Sequence, residues 1–492
     1  MSRATVENVD AAELVTRARQ LIDEGSRLAL VAAHHDSEMR VVYLFTSGPP
    51  DRRVELHFVT DAAKPVVPSM ASFSFPAGRF EREMHDLFGI IPERHPLPRP
   101  LVAHPNWSAG WHPMRHDAGP RPPLTAAQPF PFLTVEGDGV YEIPVGPVHA
   151  GLIEPGHFRF YVVGETILKL KARLWYVHKG LENLFVGRSL GDGVALAERV
   201  SGDTAVGHGL AYALAAEDAI DLVVPVEAQR VRAVLLELER LHNHVADIGA
   251  LCNDVAYGIA HAHAQRIRER LLRLNQATTQ HRLLRGGVFP GGAQLQAVPS
   301  VREIAAIEAD VAEIVEIALG HGVVRERFTG TAVLSRQSAH ELGTLGYVAR
   351  ASGLTLDARI AHPFFDLGDT FRVPAQAEGD VLARFQQRAQ EVRISAAVLA
   401  DLLPSVAAGE IGKPATVSAA QRLSGCGIVE GWRGTIVHRV EIEPNGTLSR
   451  VKIVDPSFFN WPALPVALAD TIVPDFPLAN KSFNLSYAGN DL

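Results

Sequence analysis

The residues of this chain best suited to holding a metal or moving a proton are its histidines and cysteines, and their spacing excludes more chemistry than it suggests. Thiols are confined to Cys252 and Cys426. Two cysteines build no disulfide framework, and no four-thiolate metal or iron–sulfur site from this chain alone. His242 and His244, like His261 and His263, stand two apart within helical patterns. Residues at i and i+2 of a helix do not share a face, so neither pair suits one ion, and a core-edge or surface role is the simpler reading. His34-His35 falls between strand-like runs and fits no ligand pattern. Gly286-Gly287 and Gly291-Gly292 are not followed by the strand–turn–helix pattern of a phosphate loop, so no nucleotide site is expected. His149, Glu154 and His157 share one loop, Val148 to His157, and Asp203 follows a glycine in a pairing that also reads as turn chemistry.

These residues have to be positioned by a large soluble-type chain. At 492 residues, 47% hydrophobic and 21% charged, it has the length and composition for two or three globular domains. A net charge of −8 gives no electrostatic case for nucleic acid. The opening Met1-Ser2-Arg3-Ala4-Thr5-Val6-Glu7 has neither an apolar signal core nor a twin arginine. No apolar run reaches the ~18 residues of a membrane span, so any membrane association is expected through partners.

Residues 1–116 read as a small α/β domain. Leu14, Ala18 and Leu21 mark one face of a helix over Ala11 to Gly25, with Asp10 as N-cap. Strand-like runs follow at Arg27 to Ala33, Met39 to Thr46 and Val54 to Thr60. Residues 117–140, rich in Pro and Gly, read as a linker or extended crossing segment. Residues 141–492 form a mainly helical domain. Its β-like segments at both ends imply that the two ends meet. Long helical patterns cover Ala205 to Ile220, Glu227 to Ala256, Ala260 to Thr278, Val301 to Leu319, Ser335 to Ala351 and Gly379 to Leu403. The fold class is α+β: a small α/β unit, then a helical body flanked by β segments.

Two blocks carry a family resemblance. Phe80-Glu81-Arg82-Glu83-Met84-His85-Asp86-Leu87-Phe88-Gly89-Ile90, continued by His95-Pro96-Leu97, resembles the signature of the small α/β hydrophilic subunit of respiratory complex I. The alternative is a solvated charged helix face. From Gly146-Pro147-Val148-His149 onward the chain resembles the catalytic-type subunit of complex I and of membrane-associated, energy-converting [NiFe] hydrogenases. The matching blocks include Glu154-Pro155-Gly156-His157, Tyr176-Val177-His178-Lys179-Gly180, Glu198-Arg199-Val200, His208-Gly209-Leu210, Glu237-Leu238-Glu239-Arg240 with His244, and Gly431-Trp432-Arg433-Gly434. Fused in this order, the two domains are most similar to the large subunit of formate hydrogenlyase-type hydrogenases.

The resemblance implies a site and its loss. In those hydrogenases, two cysteine pairs supply four soft, anionic thiolates to nickel and iron. The matching positions here are Ser201, Thr204, Ser486 and Gly489. Hydroxyls and a glycine do not replace thiolates, so no metal is expected on this chain and hydrogenase activity itself is not expected. The sequence ends at Leu492, directly after the second motif, without the tail that many nickel-loaded large subunits lose during maturation. The complex I quinone pair is also absent: its tyrosine falls at Gly202 and its histidine near Glu154 or Pro155, which leaves His149, His157 or Asp203 to serve a bound quinone. Glu154 and His157 are the pair the resemblance marks for proton transfer. The plainer role for Glu154 is a cap or an ion pair with Arg159 or Arg199. By resemblance the partners are an iron–sulfur small subunit that holds [4Fe-4S] clusters and complex I-like membrane-arm subunits, with the chain held peripherally at the cytoplasmic side of the cell membrane. The expected function is that of a hydrophilic-arm oxidoreductase subunit, with a non-redox coupling scaffold as the alternative.

Overall fold

The computed structural model describes residues 4–126, 130–368, 371–417 and 420–492. The part of the proposed linker at 127–129 lies outside the described residues. The N-terminal unit is built on a four-stranded mixed sheet. Ala4–Asn8 pairs parallel with Arg52–Thr60, and Met39–Ser47 and then Arg27–His35 add antiparallel. The predicted helix forms over Leu14–Asp23, and Leu14, Ala18 and Leu21 are fully buried as its spacing requires. Asp10 bonds the amides of Ala12 and Glu13, so it caps the turn leading into the helix rather than the helix itself.

The strand Arg27–His35 is buried on both faces, because the helix Phe75–Phe88 covers one and the body, through strand Leu448–Val454, meets it as well. That helix starts at the Ser74 cap with Pro76 in its first turn and stops at Gly89, whose φ of 75° closes the C-terminus. Its signature carboxylates are not a solvated face. Glu81 accepts from Ser69 Oγ and the Met70 amide, both at 2.6 Å, and Asp86 accepts from the Leu101 and Val102 amides at 2.7 Å. Glu83 pairs with Lys452 of the body at 2.8 Å. The charges of this motif fix loops and the junction between units.

The body opens with a three-stranded meander, Val140–Val145, His157–Val163 and Thr166–Arg173, and closes with another, Leu423–Gly431, Gly434–Ile442 and Leu448–Val454. Between them run the long helices Ala205–Ala219, Val226–Asp254, Gly258–Thr279, Val301–Gly320 and Val381–Leu402. The two ends meet: Thr166 bridges Ile472, and the Val177 amide and the His178 ring bond Asp491 at 3.1 and 2.6 Å. One expected helix is two. The stretch Ser335 to Ala351 breaks into Arg336–Glu341 and Gly346–Ala351, because Gly343 and Gly346 take φ of 71° and 65°. Gly346 also passes too close to the Arg433 carbonyl for any Cβ. No helix among the described residues is long and apolar enough to cross a membrane.

Candidate functional site at the Ser201–Thr204 loop and the last helix

The site is assembled by close backbone packing. The helix Ala205–Ala219 lies directly on strand Leu423–Gly431, where a Cβ on Gly427 would come within 2.0 Å of the Ala211 carbonyl oxygen. Glycine there lets the helix down onto the sheet and brings its N-terminus to the turn Gly431-Trp432-Arg433-Gly434. The buried helix Val226–Asp254 holds the same N-terminus from the other side. Glu239 accepts from the Val206 and Gly207 amides at 2.7 and 3.0 Å, and Asn243 donates to the Asp203 carbonyl at 2.8 Å. Burial raises the Glu239 carboxyl to about 8, against the pull of those two amides. The C-terminal wall is the helix Tyr487–Asp491, capped by Ser486, whose Oγ accepts from the Gly489 amide at 2.9 Å. Ser486 is held in turn by Ser457 Oγ on its amide, 2.9 Å, and by the Trp461 indole on its carbonyl, 3.2 Å.

Asp203 is the hub of the site. Its Oδ1 accepts from Ser201 Oγ at 2.9 Å, Thr204 Oγ1 at 3.0 Å and Arg433 Nη1 at 2.7 Å, and its Oδ2 accepts from Arg433 Nη2 at 2.7 Å. Ser201 gives its proton to Asp203, so the 2.8 Å contact between Ser201 Oγ and Ser486 Oγ is donated by Ser486. Thr204 Oγ1 likewise accepts from the Trp432 indole at 3.1 Å. Arg433 donates from Nε to the Asn484 carbonyl at 2.6 Å and packs over the Trp432 ring. Desolvation works to raise the Asp203 carboxyl, but the bidentate guanidinium prevails and holds it well below the usual carboxylate range.

Gly489 completes the floor. A Cβ there would fall 2.6 Å from the Asp455 carboxylate, so Asp455 occupies the space that a side chain at 489 would need. Asp455 bonds His208 Nε2 at 3.0 Å and the Ser457 amide at 2.7 Å, and His208 Nδ1 meets His438 Nε2 at 3.0 Å. Burial opposes the Asp455 charge, yet the His208 bond and the nearby Arg433 charge keep its carboxyl low. Burial drives His438 well below the ordinary imidazole value, so it stays neutral. Asp455 and His438 were not among the residues singled out from the sequence. The only sequence signal at Asp455 is an Asp-Pro pair at a strand end, which marks a helix cap.

The residues present do not fit a nickel–iron centre. Ser201, Thr204 and Ser486 donate and accept within a closed hydrogen-bond network, the two carboxylates of the site are taken by Arg433 (Asp203) and His208 (Asp455), and Gly489 offers no side-chain donor atom. Among the described residues, no group of three or more His, Cys, Asp or Glu is placed to hold a metal ion.

The other candidate residues separate. Glu154 is exposed and accepts from the Ala488 amide at 3.0 Å, at the N-terminus of the last helix and beside the site, and it pairs with neither Arg159 nor Arg199. His157 begins a strand in which Phe158 turns to the core. Alternation therefore points His157 to the other face, where its ring lies 5.4 Å from Phe132 and Nδ1 meets the Gly146 carbonyl. Glu154 and His157 thus bond to different partners and do not form a pair. His149 meets Tyr487 Oη at 3.5 Å and stands edge-on to Phe158.

Comparison with known proteins agrees with this architecture. Residues 6–123 match the profile of the respiratory-chain NADH dehydrogenase 30 Kd subunit, residues 179–252 that of nickel-dependent hydrogenase, and residues 247–425 that of the respiratory-chain NADH dehydrogenase 49 Kd subunit. Formate hydrogenlyase subunit 5 of Escherichia coli is 31% identical over 88% of this chain and 78% of its own length. Hydrogenase-4 component G of the same organism is 32% identical, over 84% and 73%. The chain belongs to this family. An NADH-quinone oxidoreductase subunit of Phocaeicola vulgatus is 29% identical over 71% of this chain and 72% of its own length. A chain in the structure of the membrane-bound sulfane sulfur reductase, an archaeal respiratory membrane complex, shares the fold. It aligns at a TM-score of 0.66 and 23% identity, over 72% of this chain and 99% of that one. The family member described here is thus an oxidoreductase-type large subunit, hydrogenase-like and complex I-like, whose relatives are named as subunits of larger complexes.

Proposed function

We propose that this chain is a hydrophilic-arm subunit of a complex I-like or formate hydrogenlyase-like membrane oxidoreductase that works without a nickel–iron centre of its own. It sits against membrane-arm subunits and an iron–sulfur small subunit on the cytoplasmic side, supports electron transfer through the partner's clusters and couples that transfer to the membrane subunits. The observation that carries this reading is the closed polar network around the positions that the resemblance assigns to the metal ligands, with Asp203 locked to Arg433 and the Ser201 and Ser486 hydroxyls bonded to each other. Thiolate chemistry is what nickel and low-valent iron require, and hydroxyls do not supply it at neutral pH. Purified with its partners, the chain is expected to carry nickel far below one atom per chain and no infrared bands from iron-bound CO or CN. Stoichiometric nickel with those bands overturns the proposal.

A second reading, proton transfer at Glu154, is favoured by one observation. Glu154 is open to solvent while its carboxylate accepts from the Ala488 amide, next to Gly489, whose missing side chain leaves room for Asp455. A relay through this group loses on the order of 10²-fold in turnover in Glu154→Gln at unchanged assembly. His157→Gln, on the opposite face of its strand, is the control and keeps the rate. Full acceptor-reduction and proton-translocation rates in membranes carrying Glu154→Gln remove this reading and leave the first in place.

A further inference from the structure

A cavity of about 630 Å³ lies between the N-terminal unit and the body, away from the Asp203 site. Its walls are mainly apolar, with Leu28, Phe73 and Pro76 from one side and Leu345, Leu354 and Phe459 from the other. Arg27 and Thr46 line it together. They are cross-strand partners at one end of the N-terminal sheet, so their side chains share a face. Arg27 Nη1, Arg27 Nη2 and Thr46 Oγ1 are buried and have no hydrogen-bond partner among the described residues. The guanidinium rests 5.7 Å from the Phe459 ring, a contact that does not use its donors.

Buried polar groups are almost always paired, and a buried cation without an anion is the costliest exception. The carboxylates on the cavity wall are engaged elsewhere: Asp357 with Arg359 at 2.8 Å and Arg350 at 3.3 Å, Glu341 with Gln337 at 2.8 Å. His362 is taken by Asp51 at 2.7 Å. Burial lowers Arg27 to about 10, an effect the Glu430 carboxylate and the Cys426 side chain offset only in part. A long arginine side chain has the freedom to turn from the Phe459 ring toward the cavity, and the volume is that of a small-ligand site with apolar walls and a few convergent polar groups.

We propose that this cavity binds a small amphiphilic carboxylate, its anionic head on Arg27 and Thr46 and its apolar body against the Leu28, Leu345 and Leu354 walls. Seated there, the molecule would contact both units of the chain at once and stiffen their junction. The inference is independent of the proposed function and of the Asp203 site. The head and the tail are both required: the guanidinium selects an anion, and the mainly apolar walls take the tail.

The test is calorimetric titration of the whole chain with decanoate, decylamine, acetate and a neutral decyl glycoside, in wild type, Arg27→Met and Thr46→Val. Decanoate is expected to bind saturably, one per chain, at least about tenfold more tightly than to Arg27→Met, the size of one charged hydrogen-bonded contact. Acetate, decylamine and the glycoside are expected not to saturate. Because Arg27 has no hydrogen bond to lose among the described residues and methionine can keep the contact with the Phe459 ring, Arg27→Met is expected to melt no lower than wild type, and decanoate to raise the wild-type melting temperature alone. Equal decanoate affinity in Arg27→Met, saturable binding of decylamine, or no saturable decanoate binding overturns the proposal. So does a fall in the melting temperature of Arg27→Met, which would give the guanidinium a structural role. Vesicles containing phosphatidylglycerol are expected not to displace decanoate. Displacement would assign the site to a lipid headgroup and reject a free carboxylate.

Discussion

Arg350→Met is expected to cost about 3–5 kcal/mol of stability at neutral pH, the size seen when one partner of a buried ion pair is removed. Arg350 is fully buried. It donates to Glu391 at 2.9 Å, to Glu430 at 2.8 Å and to the Leu356 carbonyl at 2.8 Å, and lies 3.3 Å from Asp357. Arg240 and Arg359 are the other cations of this cluster, and Glu237 is a further carboxylate. Taking Arg350 away leaves Glu391, Glu430 and Asp357 in the interior with too little positive charge.

The pH dependence tells this cost apart from lost packing. Burial opposes the charge of Glu391, but Arg350 and His244 hold its carboxyl well below the ordinary value of 4.5. A depressed carboxyl contributes stability above its unfolded value, and that contribution is lost as pH falls through the folded value. Without Arg350 the effect of burial takes over, and stability instead falls as pH rises. The gap between wild type and variant is therefore expected to be widest near pH 7 and to shrink toward about pH 4, as followed by thermal unfolding. An equal gap at both pH values would mean that methionine simply packs badly there.

Much of this cluster was legible as a segment and illegible as a network. The register Leu235, Leu238, Leu241, Val245, Ile248 and Leu251 identifies a buried helix, and every one of these side chains is buried. The same helix also buries Arg232, Glu237, Glu239, Arg240, His242 and His244. Periodicity sorts residues by one face and cannot announce that the charged face is interior too, because the partners Glu391, Arg350 and Glu430 lie far along the chain. The core-edge or surface role expected for His242 and His244 is wrong: both are fully buried, on a helix packed on every side, and they go to different neighbours, His244 to Glu391 at 3.1 Å and His242 to the Leu238 carbonyl at 3.2 Å.

The Asp203 site divides in the same way. The sequence marks Ser201, Thr204, Ser486 and Gly489 only through a family pattern, and the chain folds these segments against each other with Ser201 and Ser486 in contact. Asp203, read from sequence as turn chemistry or a weak candidate, became the hub because Arg433 arrives from 230 residues away. Glu154 and His157 match as a motif, but they go to different partners: Glu154 stays in the loop and reaches the last helix, while His157 is the first residue of a strand whose next residue, Phe158, takes the core face.

Asp203→Asn carries the second large effect, expected at about 2–3 kcal/mol, below the full cost of breaking a buried pair because the Asp203 side chain is 38% exposed while that of Arg433 is 4% exposed. The substitution keeps the shape and one acceptor oxygen, so Ser201 and Thr204 retain a partner. It loses the charge and turns an amide N–H toward an Arg433 N–H that had donated to Oδ2. Arg433 is then left buried without its anion, tied to the Asn484 carbonyl. Since that guanidinium joins the Ser201–Thr204 loop, the Trp432 turn and the segment leading to Ser486, the damage is expected to be local first. Hydrogen exchange is the measurement: the amides of Thr204 and of Gly489 to Asp491 should lose protection before those of the helix Val226–Asp254 do. The sign in pH is fixed by the depressed Asp203 carboxyl. Its contribution is present above the unfolded value of 3.8 and is lost as pH falls toward the folded one, so wild type and Asp203→Asn should converge in acid. Unchanged protection around Gly489 at pH 7 would show that Asp203 and Arg433 do not hold the two segments together. The polar network would then be a consequence of their meeting and not its cause.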